Sequence, residues 1–172
     1  METSVKSSLI KYIQIPNQTR KSYNEQDWLK VGTTNEDKGG YQLIEEAATH
    51  IANWVKDLNL TGAHVTLKKR EDKTITPLIL IVIDGDKSFN QQDTLFFYGH
   101  LDKQPPMNDK GQWTHGTPTN PEIVLDPLDP KKTKLIYGRG GADDGYSTYA
   151  TMTAIKGLQQ QGIKLPSKFC PI

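Results

Sequence analysis

His100 and Asp102 stand two residues apart in YGHLDKQP, directly after a short apolar run, and Asp143 and Asp144 follow three glycines in YGRGGADDGYS. A neutral imidazole is a common zinc ligand, and a carboxylate beside it often fixes the ring from behind. The same spacing also fits a strand-end histidine in a loop with an unrelated aspartate. For the second patch, one carboxylate bridging two cations needs backbone room, which Gly138, Gly140 and Gly141 supply. A carboxylate opening a helix is favourable with no metal at all, so an N-cap after a tight turn is the competing reading. Two other glycine and acid patterns fail. GRGGAD lacks the third glycine of G-x-G-x-x-G and would face a pyrophosphate with two acids. DDG lacks the alternating oxygen ligands and terminal glutamate of an EF-hand loop.

The surrounding pattern says what carries these residues. Residues 5–14 place Val5, Leu9, Ile10, Tyr12 and Ile13 as the apolar side of a short helix, and PNQTRKSYNEQDW reads as a loop. Over 41–58, Ile44, Ala47, Ala48, Ile51, Trp54, Val55 and Leu58 recur at spacings of three and four, the mark of an amphipathic helix. Asn59 and Gly62 end it. HVTLKKR (64–70) begins with alternation, and PLILIVIDG (77–85) reads as a strand buried on both faces. After the polar loop DKSFNQQD, the run TLFFYGH (94–100) is a third strand that delivers His100 at its carboxyl end. If it continues, His100 and Asp102 share a face. A Pro/Gly/Asn-rich segment covers 103–133, with a short strand at EIVL (122–125). KLIYGRGGADD (134–144) runs from strand into turn. Residues 145–162 form a helix with Tyr149, Met152, Ala154, Ile155 and Leu158 inward. Strands alternating with helices predict an α/β fold, a partly parallel sheet with flanking helices and a site at the strands' carboxyl ends. The closing SKFCPI, broken by Pro171, argues against a further strand, so the sheet is expected to stop midway.

Composition narrows the function classes. The 172 residues carry 21 basic and 20 acidic side chains, a net charge of +1, which gives no electrostatic case for nucleic acid or a membrane surface. The lone Cys170 excludes an intrachain disulfide and an all-cysteine zinc site. No continuous apolar segment opens the chain and none reaches the roughly 20 residues of a membrane span, so a cytoplasmic protein is the expectation.

Together the two patches resemble the co-catalytic zinc metallopeptidases that include carnosinase-type dipeptidases, glutamate carboxypeptidase and aminoacylase. LFFYGHLDKQP resembles the first signature of that family and LIYGRGGADDG the second. Trp113 and the proline-rich PEIVLDPLDP between them match as well, so the resemblance covers about residues 40–165. One departure is visible: Gly145, Tyr146 and Ser147 follow the acids where the family usually has lysine then glycine, wording similar to one of its subgroups. The resemblance implies His100 as a terminal zinc ligand, Asp143 as the bridge between two zinc ions, and Asp102 as a catalytic residue tuning His100 or the general base. Asp144 and Arg139 take structural roles. It implies a peptide or N-acyl amino acid substrate, cut by two-metal hydrolysis with a glutamate taking the proton of water.

The rest of such a site is missing from these residues. No Asp, Glu or His follows Asp144, and the last glutamate is Glu122. His50 reads as a helix-surface residue, His64 as a strand-start residue and His115 as a loop residue. The chain is therefore expected to be the N-terminal part of a metallopeptidase catalytic domain over 1–172, truncated before the remaining ligands and inactive alone. The alternative is a non-catalytic, degenerate paralogue that binds a partner. An unpaired sheet edge would invite association, so a homo-oligomer is kept as an expectation.

Overall fold

The computed structural model describes residues 2–89, 93–107 and 111–171. Parts of two expected loops, residues 90–92 and 108–110, lie outside the described residues. The helices are α1 (Glu2–Gln14), α2 (Glu25–Leu29), α3 (Gly40–Asp57) and α4 (Tyr146–Gln160). The strands are β1 (Ala63–Lys68), β2 (Leu78–Ile83), β3 (Thr94–Phe97), β4 (Glu122–Leu125), β5 (Lys134–Tyr137) and β6 (Lys168–Pro171). The main sheet has the order β1-β2-β6-β3, and β4 and β5 form a separate hairpin. β1–β2 and β2–β6 are antiparallel and β6–β3 is parallel, so the expected partly parallel α/β sheet is borne out.

α3 is the axis of the core. Every apolar position that its spacing predicts, from Ile44 to Leu58, is buried. It stops because Asn59 and Gly62 take left-handed conformations, with φ of 48° and 73°. Its apolar stripe packs on β1 and on Ile79, Ile81 and Ile83 of β2. α4 completes the cluster with Tyr149, Met152 and Ile155, while Ala154 lies on its exposed side. The Trp54 and Tyr149 rings meet at 4.4 Å between centroids. The Tyr149 hydroxyl, pushed up to about 12 by burial, donates to the Ser8 carbonyl at 3.2 Å. His50, expected on the helix surface, instead lies against α1, with Nε2 within 3.0 Å of Ser8 Oγ.

Four expectations need correcting. The segment after α1 is not only loop: it holds a 3-10 turn at Arg20–Ser22 and the short α2, capped by Asn24 Oδ1 accepting from the Asp27 N–H at 2.8 Å. β2 is not buried on both faces, because Leu78 is exposed and Leu80 and Val82 are half-buried while its odd positions face the helices. β3 ends at Phe97, so His100 follows the strand instead of ending it. Residues 168–171 do form a strand, β6, seated between β2 and β3. Pro171 stands at its last residue, where it can remove only a terminal ladder bond. Phe169 anchors it by stacking on Phe97 at 6.1 Å and packing into the core.

Burial predicts how these positions differ. Ile51→Ala should cost about 2–5 kcal/mol in urea unfolding, whereas Ile75→Ala, at an exposed position, should stay within about 0.5 kcal/mol of the parent.

Candidate metal half-site

β3 delivers residues 98–103 as a loop, and that loop is tied to the end of α1. The Leu101 carbonyl accepts from Tyr12 Oη at 2.7 Å and from Asn17 Nδ2 at 2.6 Å. The Lys103 N–H donates to the Asn17 carbonyl, and the Lys103 carbonyl accepts from the Thr19 N–H, each at 2.9 Å. These contacts pair Lys103 with Gln18 as an isolated parallel bridge.

Lys103 itself is buried to 2 % exposure. Its Nζ donates to the carbonyls of Tyr12, Ile13 and Ile15 at 2.8, 3.1 and 2.6 Å, and lies 4.2 Å from the centre of the Tyr12 ring. The last carbonyls of a helix lack intrahelical partners and carry the negative end of its dipole, so an ammonium is suited to that place. Burial lowers the Lys103 pKa to about 7, while the carbonyls and the aromatic face are groups that favour its charged form. Nothing in the sequence marks this residue, because lysines are nearly always exposed.

The second patch comes up beside the first from β5. The chain leaves Tyr137 and turns through Gly138–Gly141, closed by the Gly141 N–H donating to the Gly138 carbonyl at 3.2 Å. Gly140 has φ of 82° and packs on the Lys103 stem, where an added Cβ would stand 2.6 Å from Cε. The Arg139 guanidinium lies 5.5 Å from the centre of the Trp113 ring, a packing contact at the back of the turn. The Asp143–Asp144 peptide is cis. α4 then begins under Gly145 with no side-chain cap, so neither aspartate serves as the N-cap. Asp144 Oδ2 instead accepts the His100 N–H at 3.3 Å, joining the two motifs through backbone.

His100, Asp102 and Asp143 therefore meet. His100 Nδ1 lies 3.1 Å from the Asp102 carbonyl and 3.2 Å from Asp102 Oδ1. Both are acceptors, which suits a proton on Nδ1 and would leave Nε2 as the nitrogen free to bind an ion. Nε2 points at Asp143 Oδ1, 3.4 Å away. Two ligands each about 2.0–2.1 Å from a tetrahedral zinc ion stand roughly 3.3 Å apart. The donor types, tautomer and gap thus fit one zinc ion. The Asp143 carboxylate is 64 % exposed, so an ion can reach it. Among the described residues no group of three or more His, Cys, Asp or Glu is poised to hold a metal. His64 instead pairs with Asp84 at 3.4 Å, and the His115 ring rests on Tyr137 at 4.8 Å and takes no part.

Residues 96–170 match the family model of peptidase family M20/M25/M40, and the resemblance read from the two motifs is borne out. No curated protein matches the chain. Among solved structures it is similar to the di-peptidase Dug1p of Saccharomyces cerevisiae, with TM-score 0.64, 20 % identity, 99 % of this chain and 31 % of that one. It is similar to human carnosine dipeptidase 1, with TM-score 0.63, 21 % identity and the same coverage of 99 % and 31 %. The aminopeptidase PepT of Bacillus cereus matches with TM-score 0.58, 14 % identity and coverage of 99 % and 36 %. These likenesses show the fold. The chain spans about a third of the length of each of the three structures. Among the described residues no helix is long and apolar enough to cross a membrane.

Two glycines separate packing from helix propensity. Gly145→Ala would drive a methyl group into the Tyr12 ring, and such overpacking should cost about 1–3 kcal/mol. Gly157→Ala meets nothing within 4 Å and should stabilise α4 by about 0.5–1 kcal/mol. Chemical denaturation of both variants checks the contrast.

Proposed function

We propose that these 172 residues form the N-terminal part of the catalytic domain of a zinc-dependent peptidase, of dipeptidase, carboxypeptidase or aminoacylase type, and supply half of its metal centre. The observation that carries this reading is the 3.4 Å approach of His100 Nε2 to Asp143 Oδ1, with Nδ1 already committed to Asp102. A histidine kept merely for packing would not need its free nitrogen aimed at an exposed carboxylate.

His100 would hold one zinc ion through Nε2, and Asp143 would hold it through Oδ1. Asp143 would also serve a second ion. Bound there, zinc would supply Lewis-acid polarisation of a scissile amide carbonyl. Asp102 would orient the imidazole by accepting from Nδ1, which turns Nε2 toward the ion and makes it a stronger ligand. Asp144 holds the backbone of His100 and so keeps the first motif against the second.

The proton-transfer glutamate that the resemblance implies would have to come from outside these residues. A hydrolytic site needs a base within hydrogen-bond reach of the attacking water, and no Asp, Glu or His follows Asp144. Catalytic zinc sites commonly use three protein ligands, and the half-site offers two. By itself the chain should bind zinc modestly and leave dipeptides intact.

Isothermal titration with Zn²⁺ tests the assignment. The parent should bind, and His100→Ala and Asp143→Ala should each weaken binding about tenfold or more, while His64→Ala leaves it unchanged. Equal binding in all four proteins would refute it. A parallel assay of dipeptide hydrolysis should give no turnover by the 172 residues alone.

A further inference from the structure

We propose that Lys103 is a positioning residue of the metal half-site: its ammonium, locked under the C-terminus of α1, holds the His100 loop at the distance from Asp143 that an ion requires. The inference rests on the metal reading above and names a residue which that reading does not use.

Three observations carry it. First, Lys103 joins the stretch 12–19 to the turn of the second motif. Its Nζ reaches the Tyr12, Ile13 and Ile15 carbonyls, its backbone N–H and carbonyl bind Asn17 and Thr19, and Gly140 of the second motif rests on its stem. Second, it sits at both motifs. In sequence it follows Asp102 directly, and in space its stem touches the turn that ends at Asp143. A shift of Lys103 would therefore move the two ligands relative to one another. Third, the contact is specific to a long cationic side chain. The three carbonyls converge on one point at the tip of the four-carbon stem, and the Tyr12 ring lies 4.2 Å from the ammonium. A surface lysine placed for solubility has none of these constraints.

A packing role and a positioning role part company in what they move. Packing alone would change the melting temperature. Positioning would also change the ligand geometry at a temperature where the protein is folded.

The test uses Co²⁺ as the probe on the 172-residue chain, with circular dichroism confirming folding at low temperature. Lys103→Met keeps the stem and removes the charge; Lys103→Gln is shorter and donates at most two hydrogen bonds. The expected result is that a folded variant binds Co²⁺ about tenfold more weakly than the parent, with its visible ligand-field band shifted. Lys69→Met, at a surface ion pair with Glu45, should change neither. A folded variant with the parent's affinity and band would overturn the positioning role and leave the metal reading intact. Loss of folding in both variants would also overturn it, by assigning Lys103 to the fold alone. A parent that binds no Co²⁺, or binds it equally after His100→Ala, would remove the metal reading and this inference with it.

Discussion

A cation buried against a helix end organises this structure. The carbonyls of Tyr12, Ile13 and Ile15, at and just past the end of α1, accept from Lys103 on a loop about ninety residues away in sequence. That contact is one of the tethers of the first motif, and the backbone N–H and carbonyl of the same residue are also bonded to residues 17 and 19. The second motif then has a surface to turn over, and Gly140 fits it because a side chain there would collide with the lysine stem. α1 lies outside the matched residues 96–170, yet it forms the platform on which both motifs rest.

The two motifs make one chemical object only through this folding. His100 and Asp102 lie on a loop, and Asp143 lies on another, 41 residues further on. Neither loop has a regular ladder to fix it. What fixes them is a set of backbone and buried side-chain bonds: Tyr12 and Asn17 to Leu101, Asp144 to the His100 N–H, and Lys103 to α1. The candidate ligand side chains, His100 and Asp143, stay partly exposed. Such a division, with rigid support below and open donors above, suits a site that must take up an ion.

Much of the frame was legible in the sequence because it is written in local periodicity. The spacings of α3 specify its buried face residue by residue, and Asn59 and Gly62 mark its end. The hairpin β4–β5 and the helix α4 also stand where their apolar runs and turn residues put them. The misses have long-range causes. α2 is five residues long with a single buried side chain, Trp28, so it has no period to read. β6 is held by Phe169 packing against Phe97, which outweighs the weak local signal of a proline at its end. The three candidate residues His100, Asp102 and Asp143 were legible as types in a spacing, but their convergence was expected only through the family resemblance, since no local period carries it. Lys103 was invisible altogether, because its partners are backbone carbonyls and backbone carries no sequence signature.

The central claim is that His100 and Asp143 share one zinc ion. Zinc K-edge X-ray absorption on the protein loaded with one equivalent of Zn²⁺ tests it most directly. The account predicts a first shell of light atoms only, with one imidazole whose outer-ring scattering disappears in His100→Ala. An imidazole signal that survives His100→Ala would place the ion on another histidine and contradict the account.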